Sequence, residues 1–277
     1  VSLPHALITG GSSGIGLAIA RKLIADTDLT LVARGRERLE AARESLLRGC
    51  ARASARVLAI SADVSVREEA EAAVAQAVAE LGAPTMVVTS AGIAIPGYFG
   101  SVPVDVFERT MAVNYLGTVY VVKAALPSMR RAGGSLVLIS SGAGLIGLFG
   151  YTPYSPTKFA LRGLAEALHA ELRHEGIRVS IAYPPDTDTP QLIEESRTKP
   201  AETRMMTARA GLWSAEDVAE RILKGVSRGS FAITPGFELT ALYRLGSLVA
   251  PVVQWGWAKQ VARMRRDVRP ATNKEHT

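Results

Sequence analysis

Short runs of β-branched and aliphatic residues alternate with longer amphipathic stretches along most of the chain, and this alternation restricts the possible folds more than any other feature. His5 to Thr9 reads as a strand and Gly14 to Ala25 as the helix that follows. Further strands are predicted near Leu29 to Ala33, Arg56 to Ile60, Thr85 to Thr89, Ser135 to Ser140 and Ile177 to Tyr183, with helices between them. A last short strand, Phe231 to Thr234, follows a helix expected over Ala215 to Val226. Continuously apolar strands joined by helical crossovers belong to a parallel sheet covered on both faces. The expected fold class is therefore α/β: one doubly wound parallel sheet with helices on both faces, binding its ligand at the carboxyl ends of the strands.

A chain of 277 residues, 48% hydrophobic, supports one large core and leaves little for a second. Residues 1–237 are expected to form the ligand-binding and catalytic domain, and 238–277 an apolar and basic appendage of it. The single cysteine, Cys50, excludes an intrachain disulfide, and no cluster suggests a metal site. Val1 to Gly10 lacks the basic, apolar and cleavable parts of a secretory signal, so a cytoplasmic setting is expected, although the missing initiator methionine weakens that argument.

The net charge of +6 is uneven. Between Tyr243 and Pro270 stand Arg244, Lys259, Arg263, Arg265, Arg266 and Arg269 against one acid, Asp267. No nucleic-acid reading module accompanies this cluster, and no nucleic-acid partner is expected.

The segment Thr9-Gly10-Gly11-Ser12-Ser13-Gly14-Ile15-Gly16 lies between the first strand and first helix. Glycines there let a pyrophosphate approach the backbone, and the helix amino terminus offers free N–H donors. Ser12 and Ser13 add hydroxyls, Ile15 lies in the same turn, and the plain alternative is a tight strand-to-helix connection. After the second strand, Arg34 occupies the position where an acid would select an unphosphorylated ribose, and Arg38 follows one helical turn later. Their guanidinium groups suit a 2′-phosphate, favouring NADP(H), unless they only solvate a helix start. Asp63, beside Val64, suits the adenine amino group or else serves as a cap or turn residue.

Tyr154-Ser155-Pro156-Thr157-Lys158 places a phenol and an ammonium four residues apart, on one face of an amphipathic helix. The ammonium is expected to lower the phenol's pKa and make it a proton donor or acceptor, though such a pair alone is more often a surface pair. Ser141 stands thirteen residues before Tyr154, with Ser140 as its neighbouring alternative, and Asn114 lies on the preceding helix. Read from its residues alone, Asn114 is equally a helix-bending polar group bonded to backbone.

From about Leu3 to Phe237 these ordered motifs resemble the short-chain dehydrogenase/reductase family, whose fold is of the Rossmann type. The resemblance implies that Tyr154 is the proton donor or acceptor, that Lys158 binds the nicotinamide ribose and assists Tyr154, that Ser141 polarises the carbonyl and that Asn114 supports a relay water. It implies NADPH/NADP+ as cofactor and a homo-oligomer. Thr89-Ser90-Ala91-Gly92 departs from the usual Asn-Asn-Ala-Gly but keeps Ala91 and Gly92, which let the cofactor approach the sheet. Pro184-Pro185-Asp186 replaces the usual Pro-Gly, and Thr189 can still reach a carboxamide.

The string Tyr183 to Pro190, with Gly147 to Tyr151 and Phe159 to Glu166, is similar to the branch of that family that reduces the 3-keto group of 3-ketosphinganine to sphinganine. A hydrophobic ketone, a long-chain lipid, is the substrate this implies. The alternatives are another hydrophobic ketone or alcohol (steroid, retinoid or acyl ketone) or an NADP(H) sensor without turnover. Leu239 to Val261 is rich in Leu, Val, Ala and Trp but broken by Arg244, Pro251, Gln254 and Gly256, which fits peripheral membrane contact better than a span. Trp255 and Trp257 suit the headgroup level. A lid over the substrate pocket and a subunit contact are the other readings of this tail.

Overall fold

The computed structural model describes residues 3–207 and 211–267, without the side chains of 265–267. Val1, the charges of Arg265, Arg266 and Asp267, and the whole of Arg269 lie outside the described residues.

Nine strands are described: β1 His5–Thr9, β2 Asp28–Ala33, β3 Val57–Ser61, β4 Met86–Thr89, β5 Gly134–Ile139, β6 Ile177–Ala182, β7 Thr187–Asp188, β8 Trp213–Ser214 and β9 Ala232–Ile233. The helices among the described residues are α1 Gly14–Leu23, α2 Arg36–Gly49, α3 Arg67–Leu81, α4 Val104–Met111, α5 Gly117–Ala132, α6 Ser155–Leu172, α7 Pro190–Thr198, α8 Ala201–Thr207, α9 Ala215–Ser227 and α10 Phe237–Asp267. The alternation read from the sequence is present, with ends displaced by a residue or two. The short pair β7 and β8 was not foreseen.

The main sheet is parallel throughout and runs in the order β3-β2-β1-β4-β5-β6-β9. Its order reverses between β1 and β4, which opens a crevice at their carboxyl ends. Successive strand residues face opposite sides: Leu7, Leu136 and Leu138 join one core with α3, α5 and α6, whereas Ile8, Val137 and Ile139 join the other with α1, α2 and α9. Burial on both faces explains why these strands show no polar alternation. Leu7, Ile8, Leu136 and Leu138 are fully buried, and each such side chain contributes about 1.5–3 kcal/mol.

Glycine is required where the loop after β1 meets its surroundings. Gly10 has φ 67°, and a Cβ there would lie 2.8 Å from the Ala91 nitrogen; at Gly16 it would lie 2.5 Å from the Gly10 carbonyl oxygen. The same small residues that suit an anion are thus needed to seat α1 on the sheet.

Helix α10 breaks at Leu245 (φ −118°, ψ 19°), next to Gly246. Before the break, Leu239, Leu242 and Tyr243 pack on the main core, with the Tyr243 and Tyr183 ring centroids 5.7 Å apart and the Arg162 guanidinium 5.5 Å from the Tyr243 ring. After it, Leu248, Val252 and Trp255 are exposed on one helical face, while Trp257 is half-buried. Among the described residues no helix is long and apolar enough to cross a membrane.

Candidate active site

The crevice gathers residues from five strand ends. Thr9, closing β1, accepts a hydrogen bond through Oγ1 from the Ala91 backbone N–H after β4 at 3.2 Å. Ser13 begins α1 with extended backbone and makes no side-chain capping bond, so Ser12, Ser13, Gly14 and Ile15 present a partly exposed turn at the helix amino terminus. A Cβ on Gly14 would lie 3.1 Å from the Thr189 methyl group. The glycine turn and the start of α7 therefore face each other. Thr189 itself caps α7, its hydroxyl accepting from the Leu192 N–H at 3.3 Å.

Arg34 follows β2 with its side chain 61% exposed, its Nη1 3.7 Å from Asp63 Oδ2, and Arg38 is exposed on α2. Asp63 Oδ1 accepts from both the N–H (2.9 Å) and the hydroxyl (2.7 Å) of Ser65. Burial opposes ionisation of this carboxyl, but Ser65 and Arg34 outweigh it and hold the pKa below the ordinary value. In this structure Asp63 acts as the turn residue that was its alternative reading, with Oδ2 turned to Arg34. Val64 beside it is buried against Gly117.

Tyr154 forms the first corner of α6 and Lys158 lies on its first turn; both are buried. The Lys158 ammonium donates to the Ile139 carbonyl at 3.1 Å and sits 5.4 Å from the Tyr154 ring centroid. Two adjacent serines take different duties. Ser140 is buried, and its hydroxyl donates to the Lys158 carbonyl at 3.1 Å, which ties β5 to α6. Ser141 stands beside the Tyr154 hydroxyl, close enough to pull its pKa down, and its Oγ accepts from the Ala143 N–H at 3.2 Å.

The expected lowering of the Tyr154 pKa does not occur. Burial raises it well above the ordinary phenol value and the negative charge of Glu195 adds to the rise, while hydrogen bonds from Ser141 and Gln191 pull the other way. The Lys158 ammonium donates to the Ile139 carbonyl, and burial pushes its own pKa down to about 8 against a smaller opposing pull from Glu195.

Asn114 is fully buried and lies in a single π turn, Ala112–Leu116, between α4 and α5 rather than in a regular helix. Its Oδ1 accepts from the Ile93 N–H at 2.8 Å, and its Nδ2 donates to the Ile93 carbonyl and the Thr157 hydroxyl, each at 3.0 Å. Both amide hydrogens are used inside the protein, so Asn114 locks the loop after β4 to α6. π turns of this kind often mark functional sites. A Cβ on Gly92 would lie 3.3 Å from Asn114 Oδ1 and 3.7 Å from Lys158 Nζ, which places Ala91 and Gly92 directly over the Asn114–Lys158 layer.

Residues 4–200 match the family model described as short chain dehydrogenase. The chain belongs to the short chain dehydrogenase family. It is 43% identical over 244 residues to the 3-dehydrosphinganine reductase of Danio rerio, covering 86% of this chain and 74% of that protein. It is 42% identical over 251 residues to the 3-ketodihydrosphingosine reductase of Bos taurus, covering 90% and 76% respectively. Among solved structures, L-sorbose reductase from Gluconobacter frateurii, complexed with NADPH and L-sorbose, superposes with a TM-score of 0.74 at 26% identity, covering 84% of this chain and 95% of that one. An alcohol dehydrogenase from Thermococcus sibiricus complexed with 5-hydroxy-NADP gives 0.71 at 26% identity, over 83% and 95%.

Within this short chain dehydrogenase the sequence reading missed the residues of α7 that close over Tyr154. Gln191 stands beside the Tyr154 phenol and pulls its pKa down, and it donates through Nε2 to Glu195 Oε1 at 2.8 Å. Glu195 Oε2 accepts from the Tyr151 hydroxyl at 2.7 Å. The spacing of Gln191 and Glu195, one helical turn apart just after the Thr189-Pro190 helix start, was the available signal.

Proposed function

We propose that this chain uses NADPH to reduce the keto group of 3-ketosphinganine to the alcohol, with Tyr154 as proton donor. The observation that carries the reading is the convergence of the half-buried Ser141 on the buried Tyr154 and Lys158, in a chain 42–43% identical to two reductases named for that substrate.

The crevice suits the cofactor on its own geometry. A side chain at Gly10 or Gly16 would strike backbone, Ser13 leaves its hydroxyl free of a capping bond, Gly14 faces Thr189 across the turn, and Arg34 and Arg38 stand exposed beyond β2. Ser12, Ile15, Asp63, Val64, Ala91 and Gly92 complete the surface that would hold it. When bound, NADPH supplies the hydride. Ser141 and Tyr154 hold the carbonyl oxygen between two hydroxyls, and donors preplaced for the developing alkoxide supply much of the acceleration. Burial keeps the phenol protonated until that moment, so Tyr154 begins with the proton it must deliver. Lys158 orders the cofactor side of the layer, and Asn114 fixes α6 against the loop after β4.

NADPH oxidation should be followed with 3-ketosphinganine beside unrelated hydrophobic ketones, identifying the lipid product. Preferential turnover of 3-ketosphinganine to sphinganine is expected; tight NADPH binding with no turnover of any ketone would identify a sensor instead.

Arg34→Asp removes a partner for the 2′-phosphate and puts a like charge in its place. We expect the Kd for NADPH to rise on the order of 100-fold and that for NADH to change less than about threefold, measured by fluorescence titration. Equal weakening of both would reject the role of Arg34.

The tail carries a second part of the proposal. Residues 238–277 act as an appendage whose two parts differ: Leu239 packs over the place where a Gly142 side chain would be, 2.9 Å away and next to Ser141, so the first turns wall the substrate site. The exposed Leu248, Val252 and Trp255, with the Lys259 ammonium 3.5 Å from the Trp255 ring centroid and with Arg244 and Arg263 nearby in sequence, suit an anionic membrane surface that delivers a lipid substrate. Anionic vesicles should sediment the protein, and salt should release it only in part, since screening leaves the apolar contribution. Leu248→Ser together with Trp255→Ser should abolish sedimentation. Unchanged sedimentation of the double variant would sink the membrane assignment.

A further inference from the structure

Glu195 is a buried carboxyl without an ion-pair partner among the described residues, and burial raises its pKa above the ordinary value, against a smaller pull from Lys199. It lies on α7 at 8% exposure, takes one hydrogen bond from Tyr151 at 2.7 Å and one from Gln191 at 2.8 Å, and no basic group among the described residues comes within ion-pair distance of it. Lys199, which acts on Glu195 from a distance, is paired with Asp186 at 3.2 Å and lies 5.7 Å from the Tyr151 ring. A carboxylate has about four acceptor positions, of which two are used. Burying an anion in this way is costly unless a partner arrives.

Its place in the site says what that partner would be part of. Glu195 accepts from the Tyr151 hydroxyl, whose ring lies 5.7 Å from that of Tyr154, and from Gln191, which stands beside the Tyr154 hydroxyl, so the carboxyl lies close behind the proton donor. Ketones such as steroids, retinoids and acyl ketones carry no cation and would leave that charge buried and uncompensated. A 2-amino-3-ketone carries an ammonium on the carbon next to its reacting carbonyl.

We propose that Glu195 is the specificity residue of this site, anchoring the ammonium of a 2-amino ketone while Ser141 and Tyr154 hold the adjacent carbonyl oxygen. The inference rests on the reductase reading and deepens it. Tyr151 and Gln191 position the carboxylate, and Lys199 is paired with the neighbouring Asp186. The charge of Glu195 also opposes loss of the Tyr154 proton. A substrate ammonium offsets that charge in the same complex, so cation-bearing ketones gain in the chemical step as well as in binding. The effect is also one of exclusion, since neutral ketones meet an uncompensated carboxylate.

The test compares 3-ketosphinganine with its deamino analogue of the same chain length, using the full chain and NADPH. The ratio of kcat/KM for the amino ketone over the deamino ketone is expected to fall roughly 100-fold in Glu195→Gln, which keeps the shape and the Tyr151 contact. An unchanged ratio, whatever the absolute rates, overturns the proposal and leaves Glu195 as a latch for Tyr151. A measurement on the unaltered protein guards against a variant that does not fold: with NADP+ present, sphinganine should bind at least about 30-fold more tightly than its deamino analogue. Equal binding of the two alcohols overturns the proposal. Failure of the reductase reading is visible separately, as an unaltered protein that oxidises NADPH with neither ketone while the comparison of the two alcohols still decides the role of Glu195.

Discussion

Tyr154→Phe is expected to lower kcat by roughly 10²- to 10⁴-fold while leaving the Kd for NADPH within about threefold. The substitution removes the one proton placed beside Ser141 and keeps the ring that lies edge-on to Tyr151, with centroids 5.7 Å apart. The hydroxyl's partners, Ser141 and Gln191, belong to the substrate side, so its loss does not disturb the glycine turn or Arg34. Single-turnover reduction read at the NADPH absorbance, with cofactor binding measured independently, separates the two effects. A variant that keeps more than about a tenth of the wild-type rate would remove Tyr154 from the role of proton donor.

Sequence alone revealed most of what depends on local pattern. The strands are apolar runs because both faces are covered, and Leu7 and Ile8 enter opposite cores as adjacent residues must. The glycine turn was legible because Gly10 and Gly16 leave no room for a side chain. What stayed hidden depends on contacts between distant segments. The π turn at Asn114 follows from bonds to Ile93 and Thr157, which no helical periodicity encodes. Ser140 and Ser141 are chemically alike, and only their opposite directions at the end of β5 assign one to the Lys158 carbonyl and the other to Tyr154. The sign of the Tyr154 shift was misread because a sequence shows the four-residue spacing to Lys158 but neither the depth of burial nor the approach of Glu195, forty-one positions later. The tail reads as one apolar stretch, yet the break at Leu245 divides it into a packed part and an exposed part.

Lys158→Met should cost activity and gain stability at once. Lys158 is 5% exposed, and the described hydrogen bond of its ammonium is to the Ile139 carbonyl; burial pushes its pKa from the ordinary 10.5 down to about 8, with Glu195 only partly offsetting this. The unfolded chain therefore binds the proton more tightly than the folded one, so this group's cost to stability is full below about pH 8 and fades as pH rises towards 10.5. That cost is about 3 kcal/mol, and losing the bond to Ile139 returns about 1 kcal/mol of it, which leaves Met ahead by about 2 kcal/mol near neutral pH. For a domain of this size the gain corresponds to a Tm higher by roughly 4–8 °C at pH 7, with little difference between the two proteins at pH 10.5. Turnover should fall at least about 100-fold, since the layer loses the cation beside Tyr154, and NADPH should bind more weakly. In the unaltered protein kcat/KM, which reports the free enzyme, should decline as pH rises through about 8, where the ammonium is lost. A Tm at pH 7 that drops in Lys158→Met would show that the ammonium stabilises the fold, and the assignment of Lys158 as a charge held at a cost for function would fail.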